Sequence, residues 1–433
     1  MKPSPSMAAL RPEQGPPLAI PASFFVTAPL AVMTAGVLLS LGGVSLLWTR
    51  FAGGTAALAH LGTLGLLGSV MLGALYQMLP VVAGAPVPGL RAAHAVHALF
   101  VTALSLMVWG LWAAERTFVV AGATLLSLAL VGFLLPVSLA LARTAAAGPT
   151  ATGMRLAVLG LGLVVGLGLW LGYTRGSGAA SPAYPSVVIA HLTLGLVVWV
   201  GGLIAAVSFQ VVPMFYLTPP APRWVTSASS VAMALTLAGL TVALVLRASP
   251  GHTALAALPG ALSAWLLHPL ATLVAIAHRR RKRADPSLTF WRVGLVCGLA
   301  SLPCAGLALY ADDSRFGVLF GWVVVWGWAA LIVHGMLGRI IPFLVWLHRF
   351  SKRVGLEPVP SMKQLLPDAL PRAGLALHVT TLGLGVAALA TGLDPLARAT
   401  GVGLLATGAA MLVTLLRPLL HRARASTERD ARP

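Results

Sequence analysis

The chain has 433 residues, 58% of them hydrophobic and only 9% charged, with a mean hydropathy of +0.91. A water-soluble domain of this length carries far more charge, so the composition excludes one and makes the bilayer the expected solvent. The net charge of +19 would suggest nucleic acid in a soluble protein, but here its placement along the chain points to orientation in a membrane, with no nucleic-acid partner.

In chain order, residues 1–22 hold Lys2, Arg11, Glu13 and six prolines. They read as a disordered tail rather than a cleavable signal. Twelve apolar runs follow, each long enough to cross a hydrocarbon core of ~30 Å as a helix. Their expected positions are 23–48, 56–83, 92–114, 117–142, 153–173, 186–216, 225–247, 253–278, 289–310, 316–347, 372–391 and 396–420. Residues 422–433 form a basic tail. If the N-terminus lies in the cytoplasm, 22 of the 29 Lys and Arg fall on that side. Six fall opposite (Arg50, Arg116, Arg175, Arg247, Arg315 and Arg398), and Arg339 lies within a span. That bias predicts a multi-pass protein of a bacterial-type inner membrane with both termini cytoplasmic. The run Arg279-Arg280-Arg281-Lys282-Arg283 reads as an anchor facing anionic lipid.

Three of the runs share a pattern. His60 opens one and His191 another, and His334 lies in a third. The three close on Gln77-Met78-Leu79-Pro80, Gln210-Val211-Val212-Pro213 and Arg339-Ile340-Ile341-Pro342, with prolines 133 and 129 residues apart. The spans therefore divide into three pseudo-repeats of four, about 23–147, 152–284 and 288–421, all within a membrane domain of 23–421. Because each repeat has an even number of spans, the copies run parallel, about an axis along the membrane normal.

Histidine inside a bilayer is costly without a partner, and a metal or haem iron suits it well. His60 and His191 lie 20 and 22 residues from their prolines, so they share a depth within ~3 Å. Two independent helix–helix hydrogen bonds are the structural alternative to a shared ligand pair. His334, only 8 residues from Pro342, sits ~18 Å deeper. It is a third candidate metal ligand, with His97 or His378 as its companion. His94 and His268 are weaker candidates, and His252, His278, His348 and His421 read as interface residues. Arg339 either snorkels to the nearby surface or pairs with an anion such as a haem propionate or a substrate. Cys297 and Cys304 are seven apart on one helix, ~10 Å along its axis, too far for a disulfide. No Asp or Glu falls within the twelve runs, which argues against a proton pump. No P-loop, dinucleotide fold or Ser-His-Asp set is apparent.

Twelve spans in three groups of four, with His60, His191 and His334 on spans 2, 6 and 10, resemble subunit I of the haem–copper (cytochrome c) oxidases. His60 and Pro80 are also similar to the span-2 pattern of the NnrS group, haem- and copper-containing membrane proteins associated with nitric-oxide metabolism. The resemblance implies that span 2 supplies a haem ligand, span 6 a copper ligand and span 10 haem ligands. It further implies a redox or nitric-oxide/oxygen-handling role, with a redox protein or a quinol as partner. His191-Leu192-Thr193-Leu194-Gly195 stands where oxidases carry a His-Pro-Glu-Val-Tyr-type stretch, residues 225–247 hold no histidine, and Met336 follows His334 by two. A complete oxygen-reducing centre is therefore not expected. The expectation is an oxidase-like all-α bundle holding haem, with copper as a second candidate. A permease with its site where the three repeats meet is the alternative, and the residues do not decide whether the chain is an enzyme.

Overall fold

The computed structural model describes residues 15–280 and 285–421. Arg281, Lys282 and Arg283 of the basic run lie outside the described residues, as do residues 1–14 and 422–433 of the two tails. Every element among the described residues is helical. Twelve helices are long and apolar enough to cross a membrane: spans 1–6 are Ala19–Leu47, Gly53–Val81, Leu90–Ala113, Arg116–Arg143, Pro149–Ser177 and Tyr184–Tyr216. Spans 7–12 are Arg223–Val245, Leu258–Ala277, Pro286–Tyr310, Arg315–Arg349, Ala369–Thr391 and Asp394–Leu419. Lipid offers backbone groups no partner, so each apolar run satisfies its own N–H and C=O groups as a helix. Span 1 begins at Ala19, a few residues earlier than expected, and span 8 is preceded by a separate short helix, Pro250–Ala256.

Spans 2, 6 and 10 occupy the centre. In their most apolar stretches 61, 72 and 56% of residues are buried, against 22–50% in the other nine. The nine pack as a closed ring in the order 1, 3, 4, 5, 7, 8, 9, 11, 12 and back to 1. Each contact in that ring recurs when four is added to both span numbers. Span 10 touches both span 2 and span 6 inside it.

The central spans share a further feature that the residue pattern did not disclose. Each contains an eight-residue stretch of π-helix: Leu61–Gly68, Leu194–Gly201 and Val323–Ala330. Each stretch begins 19 residues before its matched proline, Pro80, Pro213 or Pro342. A π-turn holds extra residue in the turn, so it re-aims the side chains on either side of it, and such bulges concentrate at functional sites. The repeated proline register thus coincides with a repeated backbone irregularity.

Small residues set the spacing between neighbours, as is usual in lipid. A Cβ at Gly36 would sit 2.7 Å from the Gly401 carbonyl oxygen, so spans 1 and 12 meet backbone to backbone. The same seam is tied at one end of the bundle. Gly43 has φ +58°, and a Cβ there would collide with the Asp394 carboxylate. The glycine lets Val44 N–H donate to Asp394 Oδ1 at 2.9 Å. Arg398 donates to Asp394 Oδ2 at 2.6 Å and to the Ser40 carbonyl at 2.7 Å. The last span is thereby fastened to the first, which closes the ring.

Candidate ligand sites in the bundle centre

Two cavities lie against the central spans. The first, of about 340 Å³, is lined by both His60 and His191. Its wall is mainly apolar, with Val32, Leu39, Leu196, Trp322 and Trp326 among the contributors, and Arg50 and Arg175 also line it. Spans 2 and 6 bring the two imidazoles to this space at matched depth.

Hydrogen bonding determines which nitrogens are available. His60 Nδ1 lies 2.7 Å from the Ala56 carbonyl oxygen, one turn earlier on its own helix. A carbonyl can only accept, so Nδ1 carries the proton and the neutral ring keeps a bare lone pair on Nε2. That nitrogen has no hydrogen-bond partner among the described residues. His191 Nδ1 is buried and likewise has no partner among the described residues. Gly168 on span 5 faces the His191 ring, and a Cβ there would come within 3.0 Å of Cε1 and 3.6 Å of Nδ1. Glycine therefore keeps the flank of this imidazole open. Leaving a buried polar atom unpaired costs roughly 1–3 kcal/mol, which makes His191 Nδ1 conspicuous.

Arg50 and Arg175 are both exposed on the bundle's surface. Neither has a carboxylate partner among the described residues. Arg50 lies over the Phe51 ring at 5.0 Å, and Arg175 donates to the Phe51 carbonyl at 3.4 Å. Two guanidiniums without acidic partners beside an apolar pocket suit a ligand that is flat and greasy with an anionic edge.

The second cavity is larger, about 580 Å³, and is lined by His334, Arg339, Tyr216, Phe290, Asp285 and Lys363 among others. His60 and His334 therefore face different cavities, in keeping with their different depths. His334 pairs with His378, not His97: the two Nδ1 atoms are 3.1 Å apart. His378 Nε2 lies 3.0 Å from the Trp326 carbonyl and must donate to it. Its Nδ1 is then an acceptor, His334 Nδ1 is the donor, and His334 Nε2 is left with a bare lone pair. That atom is buried with no partner among the described residues. The His378 ring stacks on Trp326 at 3.9 Å.

His97 reaches neither cavity. Its Nε2 is 2.8 Å from Thr27 Oγ1 and its ring packs on Phe24, so it holds span 3 to span 1. His94 is exposed. His268 is fully buried and bonds Ser208 Oγ at 2.8 Å, tying span 8 to span 6. Arg339 does not merely snorkel. It pairs with Asp285 at 3.0 Å and lies 5.6 Å from the Phe215 ring. Asp285 in turn accepts from Ser287 Oγ at 2.7 Å, and Ser287 Oγ accepts from the Tyr216 hydroxyl at 2.7 Å. Among the described residues no three His, Cys, Asp or Glu converge as a metal cluster, so any metal here would draw on one or two imidazoles.

Residue reasoning missed Arg50, Arg175 and Gly168 as neighbours of the histidines. It also missed the Asp285, Ser287 and Tyr216 chain. Their positions depend on how the spans rotate against one another, for which the composition carries no signal.

Searches against family models and against curated proteins find no match to this chain. The twelve-span, all-helical architecture makes it a polytopic membrane protein.

Proposed function

We propose that this protein holds a haem, or a copper ion, between His60 and His191, and that it serves a redox or nitric-oxide/oxygen-handling role without pumping protons. One observation carries the reading. Imidazoles from two central spans, each with an unpartnered ring nitrogen, line the same apolar cavity.

The residues fit such a group in three ways. Neutral imidazole suits both iron and copper. The Ala56 carbonyl on His60 Nδ1 fixes the ring and its tautomer and strengthens Nε2 as a donor, as backbone carbonyls do behind metal-bound histidines. Arg50 and Arg175, which line the same cavity, would supply positive charge to the carboxylates of a haem held there. When bound, a haem or copper supplies one-electron exchange and a binding position for a small gas. The mainly apolar wall would lower the polarity around such a group, and the π-turns beside His60 and His191 would set the aim of both rings.

The expected location is a bacterial-type inner membrane with both termini in the cytoplasm, on the strength of the Lys and Arg distribution. A redox protein or a quinol is the expected electron partner. Purified protein from cells supplied with haem and copper should carry close to one equivalent of one of them. His60→Ala should lose most of it while His97→Ala keeps it. Neither haem nor copper in the wild-type protein would end the proposal.

The permease reading draws on a different observation: two separate cavities sit against the same two central spans, 6 and 10. Substrate uptake into vesicles that survives His60→Ala would favour it.

A further inference from the structure

The His334 cavity has a chemistry of its own, which does not depend on what His60 and His191 hold. His334 is 3% exposed, and the tautomer chain through His378 and the Trp326 carbonyl leaves Nε2 as a hydrogen-bond acceptor with nothing donating to it. With Nδ1 committed to His378, Nε2 is the one free polar atom of this cavity-lining side chain. Gly374 lies beside it: a Cβ there would sit 3.1 Å from Nε2. Glycine at that position spares the buried nitrogen a methyl group that would block the approach of a donor.

The rest of the lining narrows the ligand class. Arg339 is paired with Asp285 at 3.0 Å and Lys363 with Asp368 at 2.6 Å. The two cations and two carboxylates of the cavity cancel, so neither an anion nor a cation is favoured. Four aromatic rings, Phe215, Tyr216, Phe290 and Phe343, contribute to the apolar part beside leucines, prolines and a methionine. Phe290 packs on His334 with centroids 4.6 Å apart, and Phe215 meets Phe343 edge-on at 6.3 Å. An acceptor lone pair, a neutral lining and aromatic walls match an uncharged aromatic ring that carries a hydroxyl.

We infer that this cavity is a binding site for a hydroxylated aromatic ring, a phenol or hydroquinone, whose O–H donates to His334 Nε2. The volume of about 580 Å³ is ample for one such ring with substituents.

The test uses the full chain in detergent micelles. The probes are tert-butylhydroquinone, kept reduced under argon, and its dimethyl ether, which has the same ring but no donor. Equilibrium dialysis measures saturable binding above that of empty micelles. The hydroquinone should bind, and the ether should bind at least about tenfold more weakly, since a lost hydrogen bond to a buried acceptor is worth on the order of a decade in affinity. His334→Phe should remove the difference between the probes, whereas His334→Gln, whose amide oxygen can accept, should keep part of it. Gly338→Val tests the site without touching the histidine. A Cβ at Gly338 meets its nearest neighbours only at 3.9–4.0 Å, so valine can project into the cavity with the fold intact. It should weaken both probes and leave the melting temperature unchanged. Three results would overturn the inference: equal binding of the two probes, hydroquinone binding undisturbed by both His334→Phe and Gly338→Val, or a haem or metal ion whose retention depends on His334.

Discussion

A histidine ring has two nitrogens, and in a bilayer each must be accounted for. In His97 and His268 one nitrogen finds a hydroxyl on a neighbouring span; His268 Nδ1 is also buried without a partner among the described residues, but neither ring lines either of the two cavities. His60, His191 and His334 border cavities and keep a nitrogen free. Matched distance from a proline was enough to single out His60 and His191 in the residue pattern, because depth follows directly from helical rise. The choice between His97 and His378 as companion to His334 was not legible. Both lie in the same half of the membrane, and only the rotation of span 11 against span 10 brings His378 into reach. Arg175 was visible only as one of six charges on its side, and nothing in its surroundings marked it as part of a cavity wall. If Arg50 and Arg175 face an anionic edge, replacing both with Gln should leave the fold intact and speed loss of the bound group during detergent washing. Retention equal to that of the wild-type protein would show that the two guanidiniums serve only the membrane surface.

At the scale of a single helix, the central spans differ from the rest in the length of their π-stretches, eight residues each against five, Ser263–Leu267, in the outer span 8. The prolines gave a partial sign of this, since all three sit at one fixed distance from the irregular turns, but no residue type announces a π-turn. Its consequence is angular. One residue corresponds to ~100° of rotation in an α-helix. Deleting Leu64 from the stretch Leu61–Gly68 should let span 2 relax toward regular α-helix. That would turn the His60 end by ~100° relative to the Gln77 end. The expected result is loss of the bound haem or copper while the protein stays monodisperse. Deleting a residue from a regular outer helix such as span 7 should not have this selective effect. If the Leu64 deletion keeps its full content of the group, the π-turn does not aim His60.

For the whole molecule, nine helices form a wall around three, and the wall closes where the first span meets the last. The number of spans was fully legible, because hydrocarbon thickness and backbone hydrogen bonding leave little choice. The burial of spans 2, 6 and 10 was legible only indirectly: they carry the shared histidine and proline pattern, yet their hydropathy of 1.7–2.3 falls within the 1.6–2.5 range of the outer spans. The closing seam was not legible, since it depends on Gly36, Gly43, Asp394 and Gly401 meeting across some 350 residues of chain. Gly401→Leu should force spans 1 and 12 apart and destabilise the bundle by about 1–3 kcal/mol, the usual cost of overpacking. It should read out as a lower melting temperature in detergent. Gly166→Leu, at a position with open space around it, should leave the melting temperature nearly unchanged.

The central claim is that two imidazoles converge on one electron-poor group at the heart of this wall. Its most direct test is the optical spectrum, with elemental analysis for copper and iron, of wild-type protein alongside His191→Ala. The account predicts a Soret band or about one copper per chain in the first and a marked loss of it in the second. A featureless spectrum without metal in both, from cells given ample haem and copper, would contradict it.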